Sequence, residues 1–344
     1  MTAWNDARAQ FAGRLLELIV MRLISEALHV AAALGVADLL ATGAQSAEQL
    51  AQATGASKQS LRRVLRALVG IGVFAQDSTG RFLLAPMGEL LRRDVEGSLH
   101  AAALFFGGES GARVDGLFLR AVQTGESAGQ MLSGGGSWID WLQSDPELNK
   151  IFNSMMTAFS TLHFTGVLEA YDFSECTRLV DVGGGHGRVI SEILKGNPSM
   201  RGVLFDLPHA VEGGRRTIEQ AGLAHRCEVA SGDFFVSVPG GADLYLLSRV
   251  IHDWNDEKAV AILKVVRAAV APHGRLVLLE TMLQTTVPPI YPLLSDLNML
   301  ARTGGCERTE AEYRSLYSAA GFELTRAIVT TAPTGTTVLE GRPR

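Results

Sequence analysis

The residues whose types and spacing could do chemistry begin at LVDVGGGHG, residues 179–187. An apolar run passes through Asp181 into glycines at 183, 184, 185 and 187, and an amphipathic pattern follows from Val189 to Leu194. This is a buried strand turning through glycines into a helix, the place where α/β proteins hold nucleotides. Asp206 ends the next apolar run, GVLFD. A carboxylate there can accept hydrogen bonds from both ribose hydroxyls of a nucleoside. The dinucleotide pattern G-x-G-x-x-G counted from Gly183 needs glycine at 188, where Arg188 stands. The tighter G-x-G-x-G spacing through Gly183, Gly185 and Gly187 has no pyrophosphate to cradle. It suits the amino-acid end of S-adenosylmethionine, which is the cofactor expected.

Two further features follow in order. CEVASGDFF places Asp233 and Phe234 after a third apolar segment, an acid for an exocyclic amine beside a ring for the adenine face. DLYLLSRVIHDW then delivers Ser248 and the pair His252-Asp253 at the end of a fourth. Ligands of open α/β sheets bind at the carboxyl ends of the strands, so all these residues fall on one edge. Gly183, Gly185, Asp206, Asp233, Phe234 and Ser248 are therefore expected on the cofactor side.

The ordered set resembles the caffeate O-methyltransferase-like group of S-adenosylmethionine-dependent methyltransferases, in its bacterial natural-product branch. The matching residues are VDVGGGHG at 180–187, FDLPH at 205–209, GDFF at 232–235, HDW at 252–254, the strand LVLLE taken to end at Glu280, and DLNML…GGCERTEAEY from Asp296 to Tyr313. The resemblance implies a Rossmann-like α/β methyltransferase domain preceded by a helical winged-helix dimerisation domain. It implies an O-methyltransferase acting on an aromatic or polyketide-like small molecule. It also implies that two glutamates, Glu280 and Glu307, bracket the catalytic His252. In ELNKIFNSMMTAFSTLHF, the stripe Phe152, Met156, Phe159 and His163 has helical spacing. The resemblance puts Met156 over the substrate ring and Ser160 near the cofactor, and Met299 lies in its second matching segment. Met299 and Phe159 of the helical stripe are also expected on the substrate side.

The chemistry asks for such an arrangement. A phenol ionises near pH ~10 and a free imidazole near ~6.5, so full proton transfer between them costs roughly 5 kcal/mol. Carboxylates near the ring favour imidazolium and select its tautomer. His252 is read as general base, Glu280 and Glu307 as its orienting partners. Asp253 either assists or caps the next helix.

Composition supports a globular protein. The 344 residues suffice for two cores, and 47% hydrophobic against 19% charged residues argues against disorder. A net charge of −5 gives no basic field for nucleic acid. Cys176, Cys227 and Cys306 lack metal-ligand spacing, so neither a disulfide nor a metal framework is expected, and a cytoplasmic setting fits. The start, MTAWNDARAQF, has no export-signal pattern. Charges at Glu17, Arg22, Glu26, His29 and Asp38 exclude a membrane span over 15–40, which reads instead as two amphipathic helices with surplus apolar surface for a second subunit.

The division expected is residues 1–100 for the dimerisation domain and 101–344 for linker helices and the catalytic domain. Within the first, Ser46 and Ser57 cap two helices and VFAQDSTGRFLLAP forms two strands around a polar turn. Lys58, Arg62, Arg63 and Arg66 on the second helix would serve DNA in a literal winged helix, or simply a solvated face. The glycine- and serine-rich stretch 124–138 reads as a loop. Other readings stay open on sequence: transfer to a ring nitrogen, a non-methylating decarboxylase, hydroxylase or cyclase, or a ligand-sensing regulator.

Overall fold

A computed structural model describes residues 2–284 and 289–344. The chain forms two compact units, one of Met1–Gly116 with Asp145–Ala158, the other of Leu117–Ser144 with Phe159–Arg344.

The first unit opens with α1 (Thr2–Val20), α2 (Arg22–Ala33) and α3 (Val36–Leu40). Three helices thus stand where two were expected, because Gly35 takes a left-handed conformation at φ +62° and breaks the run. Next come α4 (Ala47–Thr54), α5 (Lys58–Gly70), and the hairpin of β1 (Phe74–Gln76) and β2 (Phe82–Leu84). Ser46 and Gln49 close a reciprocal capping box on α4, and Ser57 caps α5. Leu61, Leu65 and Leu68 of α5 are buried in this unit's core. At roughly 1.5–3 kcal/mol for each such side chain, the stripe fixes the helix face. Arg62, Arg63 and Arg66 are exposed, and Lys58 pairs with Glu48 at 2.8 Å. Helices α6 (Pro86–Glu89) and α7 (His100–Gly107) follow, then α8 (Glu109–Thr124), which runs into the second unit.

The stretch 124–138 is not simply a loop. Ser127 and Gln130 form a capping box that starts α9 (Ala128–Leu132), and Ser137 with Asp140 forms another that starts α10 (Trp138–Gln143). Trp138 and Trp141 therefore belong to α10, and the long α11 (Pro146–Phe164) begins separately.

After α12 (Val167–Ala170) the second unit alternates strand and helix: β3 (Arg178–Val182), α13 (Arg188–Gly196), β4 (Arg201–Asp206), α14 (Pro208–Gln220), β5 (Cys227–Ser231), β6 (Leu244–Ser248), α15 (Asp256–Ala269) and β7 (Arg275–Leu283). It ends with α16 (Ile290–Arg302), β8 (Arg308–Thr309), α17 (Glu310–Ala319), β9 (Phe322–Val329) and β10 (Thr336–Pro343). The sheet order is β5-β4-β3-β6-β7-β10-β9, with β8 beside β7. The first five strands are parallel, and β10 is antiparallel to both neighbours.

Strand residues alternate between two cores. Val180, Tyr245, Leu247 and Leu278 pack with α15 and α17, whereas Leu179, Leu244, Leu246 and Leu279 pack with α13. The chain winds outward from β3 through β4 to β5, then returns to place β6 on the other side of β3. That reversal opens a crevice at the carboxyl ends of β3 and β6, and every candidate site strand delivers its residues there.

Candidate active site

The glycine loop follows β3 directly. Gly183, Gly185 and Gly187 have φ of +72°, +54° and +74°. A side chain on Gly184 would meet Asp181 Oδ2 and Leu204 Cδ1, both at 2.5 Å, so the position has room for glycine alone. A side chain on Gly185 would meet nothing within 4 Å, which leaves its backbone open to a ligand. Asp206 ends β4 and ties this loop down. Its Oδ2 accepts from Gly185 N at 2.7 Å and its Oδ1 from Leu207 N at 2.6 Å. Burial pushes its carboxyl upward, and Asp181 beneath the loop is pushed up to about 7 by burial and by Asp206.

Asp233 lies just past β5, where its Oδ1 accepts from Phe235 N at 2.8 Å and so sets its own turn. The Phe234 ring reaches back to within 3.6 Å of a Cβ built on Gly183 and stands edge-on to Trp254 at 6.2 Å. Ser248 closes β6. The acids, the ring and the glycine turn share one sheet edge. A purine face, ribose hydroxyls and a cationic sulfonium find suitable partners there, and the donor set fits S-adenosylmethionine.

The second cluster lies past β6. Arg249 follows the strand, and a 3-10 turn, Ile251–Asp253, presents His252. The ring is buried, with Nδ1 at 3.3 Å from Glu307 Oε1 and Nε2 at 3.1 Å from the Arg249 carbonyl. Asp253 Oδ1 lies 3.7 Å from Nε2. Asp253 does not cap the following helix, because Asn255 does so by accepting from Lys258 N. Glu280 sits inside β7, which continues to Leu283 rather than ending at the glutamate. Glu280 Oε1 accepts from Val250 N at 3.2 Å and Ile251 N at 2.9 Å, so it grips the start of the histidine turn. Glu307 is held by Ser295, whose Oγ donates at 2.6 Å, and by its own N–H donating to Asp296 Oδ1 at 2.9 Å.

Donor atoms of His252, Glu280 and Glu307 lie within 4.8 Å of one another. The positive charge that such a set draws comes from Arg249, whose guanidinium donates to Glu307 at 2.9 and 3.3 Å and approaches Glu280 at 3.8 Å. Burial raises the Glu280 carboxyl. Glu307 is held far below the carboxylate range: Arg249 and His252 outweigh its burial. Burial and Arg249 push the His252 imidazole down, yet Asp253, Glu307 and Glu280 prevail and its pKa is raised above 6.5.

Sequence reading missed Arg249, Ser295 and Arg308. Arg308 is fully buried and donates to the carbonyls of Ile251 at 3.2 Å and Trp254 at 2.7 Å, with Asp256 at 2.9 Å, which pins both ends of the histidine turn. A lone arginine within the apolar run before His252, opposite two buried glutamates, was the available signal for Arg249. Of the residues expected on the substrate side, Met299 is buried on α16. Phe159 and Ser160 are half-buried on the part of α11 in the second unit, whereas Met156 lies on its part in the first. His163 stands beside Phe159 and Tyr291, with Nδ1 at 3.1 Å from Thr336 Oγ1. No helix among the described residues is long and apolar enough to cross a membrane.

Known proteins share this layout. A family model for an O-methyltransferase domain matches residues 121–323, and one for an O-methyltransferase dimerisation domain matches residues 16–94. A phenazine O-methyltransferase from Lysobacter antibioticus is 37% identical over 344 residues, covering 100% of both chains. The solved structure of a mitomycin 7-O-methyltransferase is similar with a TM-score of 0.89, at 33% identity and 100% coverage of each chain. An O-methyltransferase from neocarzinostatin biosynthesis, solved with S-adenosylmethionine and 2-hydroxy-5-methyl naphthoic acid, gives a TM-score of 0.78 at 33% identity over 93% of this chain and 96% of that one. This chain belongs to the O-methyltransferase family that carries its own dimerisation domain, and it is an S-adenosylmethionine-dependent O-methyltransferase.

Proposed function

We propose that the chain methylates a hydroxyl of an aromatic or polyketide-like small molecule, with His252 as general base. The observation that carries this reading is the buried imidazole set among Asp253, Glu280 and Glu307, with its pKa raised. Such a device removes a proton from a weak acid, which a hydroxyl needs and an unprotonated ring nitrogen does not. Bound at the glycine loop, S-adenosylmethionine supplies an already activated methyl group. The chain's part is to orient the acceptor and take its O–H proton onto the imidazole. Asp206 would receive the ribose, Asp233 and Phe234 the adenine, and Gly183, Gly185, Ser248 and Ser160 the remainder of that ligand. Phe159 and Met299 would line the acceptor side, a methionine being polarisable and adaptable against an aromatic ring. The exposed apolar residues of α1 and α2 support a homodimer.

The test is mass spectrometry of products from a library of phenols, hydroxyquinones and hydroxylated heteroaromatics incubated with methyl-labelled S-adenosylmethionine. An O-linked labelled methyl is expected. Label on ring nitrogen, or a converted product without the label, would replace this reading with N-methyl transfer or a non-methylating reaction.

A further inference from the structure

Arg249 is the one non-glycine residue at positive φ among the described residues, at +58°. That backbone is strained for a residue with a Cβ, and it persists only where the surroundings over-determine it. Here it sends one residue in two directions. Its guanidinium donates to both oxygens of Glu307 and, at 3.2 Å, to Ser295 Oγ. Its carbonyl faces His252 Nε2 at 3.1 Å, while Glu307 Oε1 faces Nδ1 at 3.3 Å. A carbonyl and a carboxylate can only accept, so both ring nitrogens donate and the ring in this arrangement is an imidazolium. A base needs a bare nitrogen.

We propose that Arg249 is a positioning residue for the base: its guanidinium clamps Glu307 while its carbonyl parks the His252 ring, and opening of the carbonyl contact lets Nε2–H release its proton to solvent, leaving a bare nitrogen that takes the acceptor O–H proton. This rests on the methyl-transfer reading above. The charged and titratable groups facing His252 are Arg249, Asp253 on its own turn, Glu280 from β7, Glu307 from the loop before β8, and His163 from α11. Arg249 opposes the three carboxylates directly and also divides Glu307 away from the ring. Without the guanidinium, Glu307 turns wholly to His252 and the imidazolium gains.

The experiment is a histidine ring NMR titration on the full-length protein labelled with 13C-histidine, the His252 signal being assigned by its loss in His252→Gln. Arg249→Gly tolerates the left-handed backbone and removes the guanidinium, whereas Arg249→Lys keeps a charge. The His252 midpoint should rise by about one pH unit or more in Arg249→Gly, and by much less in Arg249→Lys. An unchanged or lowered midpoint in Arg249→Gly overturns the proposal. If that variant does not fold, Arg249→Gln carries the same expectation and the same refutation. No acceptor is needed, so a shifted midpoint in a protein that methylates nothing would sink the methyl-transfer reading alone. A fixed midpoint in a protein whose His252→Ala variant loses turnover would sink the clamp alone.

Discussion

Gly305 lies flat against His252: a Cβ on the glycine would run into the histidine carbonyl oxygen, and the next residue, Cys306, donates its N–H to that same oxygen at 2.9 Å. This backbone pairing sets the loop that carries Glu307. Gly305→Ala must push loop and turn apart. Turnover should fall by about 10²-fold, the scale of a displacement near 1 Å at a reacting centre, with S-adenosylmethionine affinity near wild type. Single-turnover kinetics beside calorimetry reads both numbers.

Asp206→Ala should weaken S-adenosylmethionine binding by about 1.5–3 kcal/mol, the worth of hydrogen bonds to a charged acceptor. Because Asp206 also anchors Gly185 N, Asp206→Asn should lose less, since one oxygen can still hold the loop. Calorimetry with the cofactor alone decides it, and undiminished affinity in the alanine variant removes Asp206 from the ribose.

His252→Ala should lose about 10²–10⁴-fold in turnover while cofactor affinity holds. The sign of the pH effect follows from the raised imidazole. The neutral base appears only as pH climbs past a value above 6.5, so the acid limb of the wild-type profile lies above that point. His252→Ala should lack this limb and gain activity towards pH ~10, where a phenol ionises unaided. Combined with Glu280→Gln, the losses should be less than additive. A wild-type profile from the alanine variant would remove His252 as base.

Glu307→Gln should destabilise the fold by about 3–5 kcal/mol, because it strands the buried Arg249 guanidinium. The carboxyl is depressed below its ordinary 4.5, so its contribution is full above about pH 4.5 and is lost as pH falls below that value. The gap in melting temperature between wild type and variant should therefore narrow between pH 6 and pH 3. Thermal scans across that range give the answer, and a gap of constant size contradicts the ion pair.

Leu16 and Ile19 on α1 are 60% and 69% exposed, beside Leu15, Phe11 and Leu23. Leu16→Asp with Ile19→Asp should yield monomers at micromolar concentration, measured by light scattering, where the wild type is dimeric. A monomeric wild type would refute the dimer.

The fold was legible where spacing and burial agree. The glycine turn after an apolar strand, Asp206 at the end of β4, Asp233 just past β5 and the His-Asp-Trp triplet past β6 all fall on one edge because a parallel sheet aligns its carboxyl ends. Capping serines 46 and 57 were readable from the four residues around each. Residues 124–138 misled because their glycines masked two boxes, Ser127 with Gln130 and Ser137 with Asp140, which need only those pairs to start a helix. Arg249 and Arg308 stayed hidden for another reason. Their partners are 58 residues away at Glu307 for the first, and 57 and 54 residues away at Ile251 and Trp254 for the second. The local pattern shows at most a lone arginine in an apolar run, as at Arg249, and does not name its partner.

The placement of β10 between β7 and β9 bears on biosynthesis. β7, which carries Glu280, is paired along one edge with β10 over six positions, from Thr336 against Thr281 to Gly341 against Leu276. A ribosome makes β7 about fifty residues before its cover, and through that interval the nascent chain presents an unpaired, strongly apolar ribbon to its neighbours. β10 is thus the strand that ends this exposure, so termination between β7 and β10 leaves a sticky intermediate rather than a smaller enzyme.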